Sequence, residues 1–243
     1  MTKLARLSML IVGAMTVLSG CGADDSAGST LSREPRASTT SLDGTGGIVV
    51  AALGDSITAG TPSSYPDANV RNQVDRPDRT NQWTYWAARK NRGLAFRNCG
   101  VNRQTTGEIQ SRLGECAAGA DVLVVQGGIN DIAQGRSLDD AARNLRDMVR
   151  EGKAMGMRVV LVDVLPWNAG YPRFVDEIEE LNRRIAAIAI DEDIPLLEFH
   201  KALEDPAKRG RMRAEYTIDG SHPSPAGHRV LGEVAFRVSV VKP

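Results

Sequence analysis

The chain has 243 residues, with 30 basic and 30 acidic side chains, 42% hydrophobic and 5% aromatic residues. Balanced charge leaves no nucleic-acid footprint, and the length suits one α/β domain with a substantial core behind an N-terminal leader. Only three histidines (His200, His222, His228) and three cysteines (Cys21, Cys99, Cys116) are present, so candidates for acid–base and disulfide chemistry are few.

Lys3 and Arg6 precede a mostly apolar run, Leu7 to Leu18. It fits a secretory h-region and is too short to span a bilayer as a helix. From residue 22 to 47 the composition turns to Ser, Thr, Gly, Ala and Asp without an apolar period, as in a flexible tether. A first apolar strand, Ile48 to Leu53, then runs into Gly54-Asp55-Ser56. The stretch from Thr61 to Thr80 is polar and rich in Pro, Asp, Asn and Arg; a segment of this length is either a binding loop or a solvated insertion. A helical segment is expected over 82–92, a strand over Leu94 to Asn98 leading to Gly100, and a helix over 105–113.

A third strand, Asp121 to Gln126, ends in Gly127-Gly128-Ile129-Asn130-Asp131. Leu138, Ala141, Ala142, Leu145, Met148 and Val149 then recur at helical spacing, which predicts an amphipathic helix over 137–155. A fourth strand is expected from Arg158 to Leu165, followed by Pro166-Trp167-Asn168-Ala169-Gly170-Tyr171-Pro172, a helix over 173–191 and a fifth strand from Pro195 to Phe199. The last helix, 225–240, takes Ser224 as N-cap and Pro225 as its first residue. Near-continuous apolar strands alternating with helices predict a parallel sheet covered on both faces, a three-layer α/β/α domain with five strands in flavodoxin-like order. Ligands bind beyond the carboxyl ends of such strands.

Ser56 follows the first strand and is a candidate nucleophile, provided that a base and an orienting carboxylate exist. In Thr217-Ile218-Asp219-Gly220-Ser221-His222-Pro223, Asp219 precedes His222 by a spacing that lets a carboxylate curl back to the imidazole Nδ1 and leave Nε2 free. A surface turn with one local hydrogen bond would have the same spacing. Gly100 and the Asn130 side chain are candidate donors to a developing oxyanion, and each is also an ordinary strand exit. His200 reads as a hydrogen-bonded structural histidine, and Asp55 and Asp131 as structural carboxylates. Trp167 and Tyr171 either line a substrate pocket or cap the sheet edge. The serine lacks the G-x-S-x-G elbow of α/β-hydrolases. No dinucleotide or P-loop glycine run follows a strand, and no Cys/His metal spacing occurs, so neither cofactor nor metal is expected.

Taken together, Gly54-Asp55-Ser56, Gly100, Gly128-x-Asn130-Asp131 and Asp219-x-x-His222, in this order over about residues 48 to 240, resemble the SGNH (GDSL-type) hydrolase family. The resemblance implies Ser56 as nucleophile, His222 as general base and acid, Asp219 as its orienter, and an oxyanion hole of Gly100, Asn130 and the Ser56 N–H. Asn102-Arg103-Gln104 departs from the smaller residues, such as Ser-Gly, that many members carry after this glycine. The implied activity is hydrolysis of a small carboxylic ester through an acyl-enzyme; the low aromatic content and the lack of a long apolar lid segment in the sequence favour short acyl chains. An acyltransferase or carbohydrate O-deacetylase using the same site, or a non-catalytic envelope-binding lipoprotein, are the alternatives.

Leu18-Ser19-Gly20-Cys21 resembles the bacterial lipobox, which implies lipidation of Cys21 and an exported protein held at a membrane facing the periplasm or exterior. The expected organisation is a lipoprotein signal over 1–21, a tether over 22–47 and a monomeric hydrolase domain over 48–243. With Cys21 assigned to lipid, Cys99 and Cys116 remain in an exported chain, and a disulfide between them is expected. Two buried free thiols are the alternative; a Cα separation beyond about 7 Å would exclude the bridge.

Overall fold

The computed structural model describes residues 47–61 and 79–239. The leader with Cys21, nearly all of the tether, most of the polar stretch after Thr61, and residues 240–243 lie outside these residues. No helix among the described residues is long and apolar enough to cross a membrane.

Five strands form one parallel sheet: β1 (Ile48–Gly54), β2 (Leu94–Gly100), β3 (Val122–Val125), β4 (Arg158–Val162) and β5 (Leu196–Leu197), in the order β2-β1-β3-β4-β5. The predicted three-layer α/β fold is present. The period of two along each strand explains the layers. Ala51, Leu53, Leu123, Val125, Val159 and Leu161 point into one core, and Val50, Ala52, Val122, Val124, Val160 and Val162 into the other. Each central strand is therefore apolar on both faces.

The long helix between β3 and β4, Leu138–Ala154, buries Ala141, Leu145, Met148 and Val149 on one stripe. Ser137 caps it by accepting the Asp140 N–H, while Asp139 and Asp140 in the first turn and Lys153 in the last oppose the helix dipole favourably. The helix Val175–Asp191 packs on the same face through Ile178, Leu181, Ile185 and Ile188. On the other face, Trp83–Lys90 and Pro225–Ser239 carry Trp83, Ala87, Leu231 and Ala235 into the second core. Ser224 caps the last helix as expected, its Oγ accepting the Gly227 N–H at 3.2 Å.

Three boundaries differ from expectation, the first two for a side-chain reason. The fifth strand shrinks to Leu196–Leu197 because Phe199 already opens a short helix, Phe199–Leu203, pinned by the His200 N–H donating to Asp163 Oδ1 at 2.7 Å. The fourth strand stops at Val162, and the Val164 backbone pairs instead with the Asn182 side-chain amide through two bonds, at 2.7 and 2.9 Å. The helix expected over 105–113 divides into Thr106–Gln110 and Leu113–Ala117, with Arg112 as N-cap of the second. Two further helices of one turn, Ser56–Ala59 and Ile129–Ala133, were too short to carry a periodic signal.

Candidate active site

β1 delivers Ser56 by ending at Gly54 and turning directly into the helix Ser56–Ala59. Asp55 caps that helix, its Oδ1 accepting the Ile57 N–H at 2.9 Å. At the end of β3, Gln126 Oε1 accepts both the Asp55 N–H at 3.2 Å and the Thr58 hydroxyl at 2.8 Å, which locks the turn to the neighbouring strand. Asp55 is fully buried. Burial pushes its carboxyl up to about 6, against the bonds from Ile57 and Gln126 that favour the charged form. Asp55 thus holds the turn, as its sequence reading expects, while Ser56 keeps a sliver of exposure at 6%.

The Thr217–Pro223 loop closes on itself before it reaches the serine. Ile218 N–H and Thr217 Oγ1 both donate to the His222 carbonyl at 3.0 Å, and Gly220 N–H donates to Thr217 Oγ1 at 2.9 Å. Asp219 divides its two oxygens: Oδ1 accepts the N–H groups of Ser221 and His222 at 2.8 and 2.7 Å, and Oδ2 lies 2.7 Å from His222 Nδ1. His222 Nε2 then lies 3.2 Å from Ser56 Oγ. Burial pushes the Asp219 carboxyl up, but the bonds from the His222 side chain and backbone and from Ser221 outweigh it, leaving the group below the ordinary carboxylate range. The fold thus brings together three residues that the sequence separates widely.

Asn130 is the second residue of Ile129–Ala133, and its Nδ2 donates to the Gln104 carbonyl at 3.0 Å. The neighbouring Asp131 accepts the Thr106 N–H and hydroxyl at 2.9 and 2.8 Å, which fixes this helix against the start of Thr106–Gln110. The Gly100 N–H donates to Asn98 Oδ1 at 2.9 Å. Glycine is required there, since a Cβ at this position would overlap the Ala59 backbone in the serine helix. Three residues on, Arg103 stands at φ 66°, the left-handed backbone that glycine adopts without cost.

Ile57, Gln126, Ile129, Val164, Leu165, Pro166, Trp167 and Ser221 enclose a cleft of about 10 Å³, room for one water-sized group. Trp167 is held as its wall by three constraints. Its Nε1 donates to Ser221 Oγ at 2.9 Å, its ring stacks on Phe174 at 5.3 Å, and Gly170 leaves space that a Cβ would take from the indole. Tyr171 does not line the cleft. It is 43% exposed, beneath the Arg211 guanidinium.

The Cys99–Cys116 disulfide is present, with Cα atoms 6.0 Å apart. His200 is structural: Nδ1 lies 2.8 Å from the Val164 carbonyl, and Nε2 lies 3.5 Å from Glu204 Oε1. His228 is fully buried, and burial pushes its imidazole down to about 3, so it stays neutral. Among the described residues, no group of three or more His, Cys, Asp and Glu side chains is placed to hold a metal ion. Asn98 and Gln126, which bind the serine turn to β2 and β3, escaped the sequence reading; a lone amide at the end of an apolar run was their signal.

The sequence model of the GDSL-like lipase/acylhydrolase family matches residues 52–230, most of the chain. No curated protein matches it significantly. Among solved structures, a protein of Desulfitobacterium hafniense assigned to the lipolytic G-D-S-L family aligns at TM-score 0.66 and 21% identity, covering 78% of this chain and 98% of its own. A member of the same lipolytic family from Veillonella parvula aligns at 0.65 and 19%, covering 80% and 100%. An acetyl-xylooligosaccharide esterase variant from Geobacillus aligns at 0.63 and 20%, covering 82% and 97%. These likenesses establish the fold.

Proposed function

We propose, given that the chain belongs to the GDSL-like lipase/acylhydrolase family, that it is a serine esterase cleaving small carboxylic esters through an acyl-enzyme. The observation that carries this reading is the unbroken contact chain from Asp219 Oδ2 through His222 to Ser56 Oγ, at 2.7 and 3.2 Å. Ser56 Oγ attacks the ester carbonyl carbon as His222 Nε2 takes its proton. The tetrahedral oxyanion is met by the Ser56 N–H, which opens its helix without an intrahelical partner, and by the Asn130 amide. Gly100 is the third donor, its N–H exchanging the Asn98 Oδ1 bond for the oxyanion. Collapse breaks the bond to the alcohol, which leaves with the proton from His222. Water, deprotonated by His222, then attacks the acyl carbon and releases the acid and Ser56.

Short acyl groups suit the cleft that Ile57 and Ser221, the chain neighbours of Ser56 and His222, help to line, since it has room for little more than one water-sized group. The acetyl ester cleaved by the Geobacillus relative is consistent with that size. The test is a hydrolysis profile across p-nitrophenyl esters, with acetate expected to be the best substrate. Trp167→Ala should raise kcat/KM for hexanoate relative to acetate by about tenfold or more, because each further methylene then gains a buried surface worth ~0.8 kcal/mol. An unchanged ratio would remove Trp167 from the acyl pocket, and a wild-type preference for hexanoate would overturn the short-chain reading.

The same proposal makes the protein an exported bacterial lipoprotein. What supports it is the basic, apolar and Leu-Ser-Gly-Cys succession ending at Cys21. Cys21→Ser should move the full-length protein from the membrane to the aqueous fraction of its expressing bacterium. Continued membrane sedimentation of this variant would sink the anchor.

A further inference from the structure

Arg112 joins the segments that carry the site. Its Nη2 donates to the Gly54 carbonyl at 2.8 Å, Nη1 to the Cys99 carbonyl at 2.7 Å, and Nε to Gln104 Oε1 at 2.6 Å. Gly54 ends β1 immediately before Asp55-Ser56, and Cys99 lies at the end of β2 immediately before Gly100. Gln104 belongs to the loop whose carbonyl receives the Asn130 amide. The Gly54 carbonyl accepts a second bond, from the Val101 N–H at 3.0 Å, so both its lone pairs are committed where the loop leaves the sheet. The arginine is itself anchored: its carbonyl accepts the Cys116 N–H at 3.1 Å, and Cys116 is bridged to Cys99.

We propose that Arg112 is a positioning residue, whose planar guanidinium fixes the spacing between the Ser56 turn and the Gly100–Gln104 loop and so holds the oxyanion donors in register with the nucleophile. The inference rests on the reading of Ser56 as nucleophile and Asn130 as donor. Three acceptors on three segments match the rigid fork of a guanidinium, and the single point charge of a lysine cannot serve all three. Displacing donor from nucleophile by about 1 Å costs on the order of a hundredfold in rate while leaving substrate binding largely alone.

The experiment compares wild type, Arg112→Lys, Arg112→Ala and Gln104→Ala on p-nitrophenyl acetate, with amide hydrogen exchange measured on each protein. Arg112→Lys should lower kcat by roughly ten- to a hundredfold with little change in KM. Gln104→Ala should produce a smaller loss of the same kind. Millimolar guanidinium should restore part of the kcat of Arg112→Ala and leave wild type unchanged, and exchange should accelerate in residues 99–105 but not in β3. If Arg112→Ala fails to fold, the lysine and glutamine-site variants decide the matter. A wild-type kcat in Arg112→Lys, or activity that only tracks the folded fraction, overturns the proposal. Should wild type hydrolyse no ester, the esterase reading fails, and exchange alone judges Arg112: acceleration confined to 99–105 supports it, and unchanged or uniform exchange overturns it.

Discussion

Ser56→Ala is expected to lower kcat for p-nitrophenyl acetate by about 10⁴- to 10⁶-fold, because in the proposed mechanism no other group can form the acyl-enzyme. The fold should survive. The short helix that begins at Ser56 is capped by the Asp55 side chain, and its turn is held by Gln126, so neither support uses the serine hydroxyl. The hydroxyl's contact in the structure is with His222 Nε2, on a loop that closes through its own bonds. Removing one oxygen from a nearly buried site therefore changes stability by roughly 1 kcal/mol or less. The measurement is steady-state hydrolysis together with thermal unfolding and labelling by a fluorophosphonate probe. Turnover near wild type in a folded variant would mean that the chemistry lies elsewhere, and labelling of that variant would identify a different nucleophile.

The residues of that mechanism were legible in the sequence for unequal reasons. Asp219 and His222 signal themselves because their contact is local, three residues apart within one loop, and Ser56 because a strand apolar on both faces ends in a turn of small residues. Gly100 was legible as a position but not in its packing. Its missing Cβ answers the Ala59 backbone, which lies far away in the chain, and no local pattern records that approach. Arg112 was invisible for a related reason. Its three acceptors lie on separate segments, and an arginine on a half-exposed helix start resembles any solvated cation.

The sheet reads likewise. Strand identity followed from runs of Val, Leu and Ile, whereas the early end of the fourth strand depends on Asn182, a side chain on a helix that offers Val164 both a donor and an acceptor. The indole of Trp167 was read as either pocket wall or edge cap, and the choice turned on stacking with Phe174 and on Ser221, which is remote in the chain.

Asp219→Asn separates the two tasks of one carboxylate. In the wild type, Oδ1 accepts two backbone N–H groups that shape the loop, and Oδ2 faces His222 Nδ1. Asparagine retains an oxygen for the first task, so the loop and its distance to Ser56 are preserved. For the second it presents an NH₂ donor, which selects the imidazole tautomer with its proton on Nε2, and that nitrogen can no longer accept the proton of Ser56. The loss in kcat should reach about 10² to 10⁴, toward the lower end because the Asp219 side chain is 43% exposed and water competes for Nδ1. The pH dependence of stability carries the sign of a depressed acid. Stabilisation by ionised Asp219 is complete above the ordinary carboxylate range and is lost as pH falls through its lower folded value, so the gap in Tm between wild type and variant should close in acid. Asp219→Ala, which forfeits both tasks, should unfold at a lower temperature than Asp219→Asn at neutral pH. If Asp219→Asn retained kcat within about tenfold of wild type, the carboxylate would be a loop brace alone, and His222 would need no orienting partner to act as base.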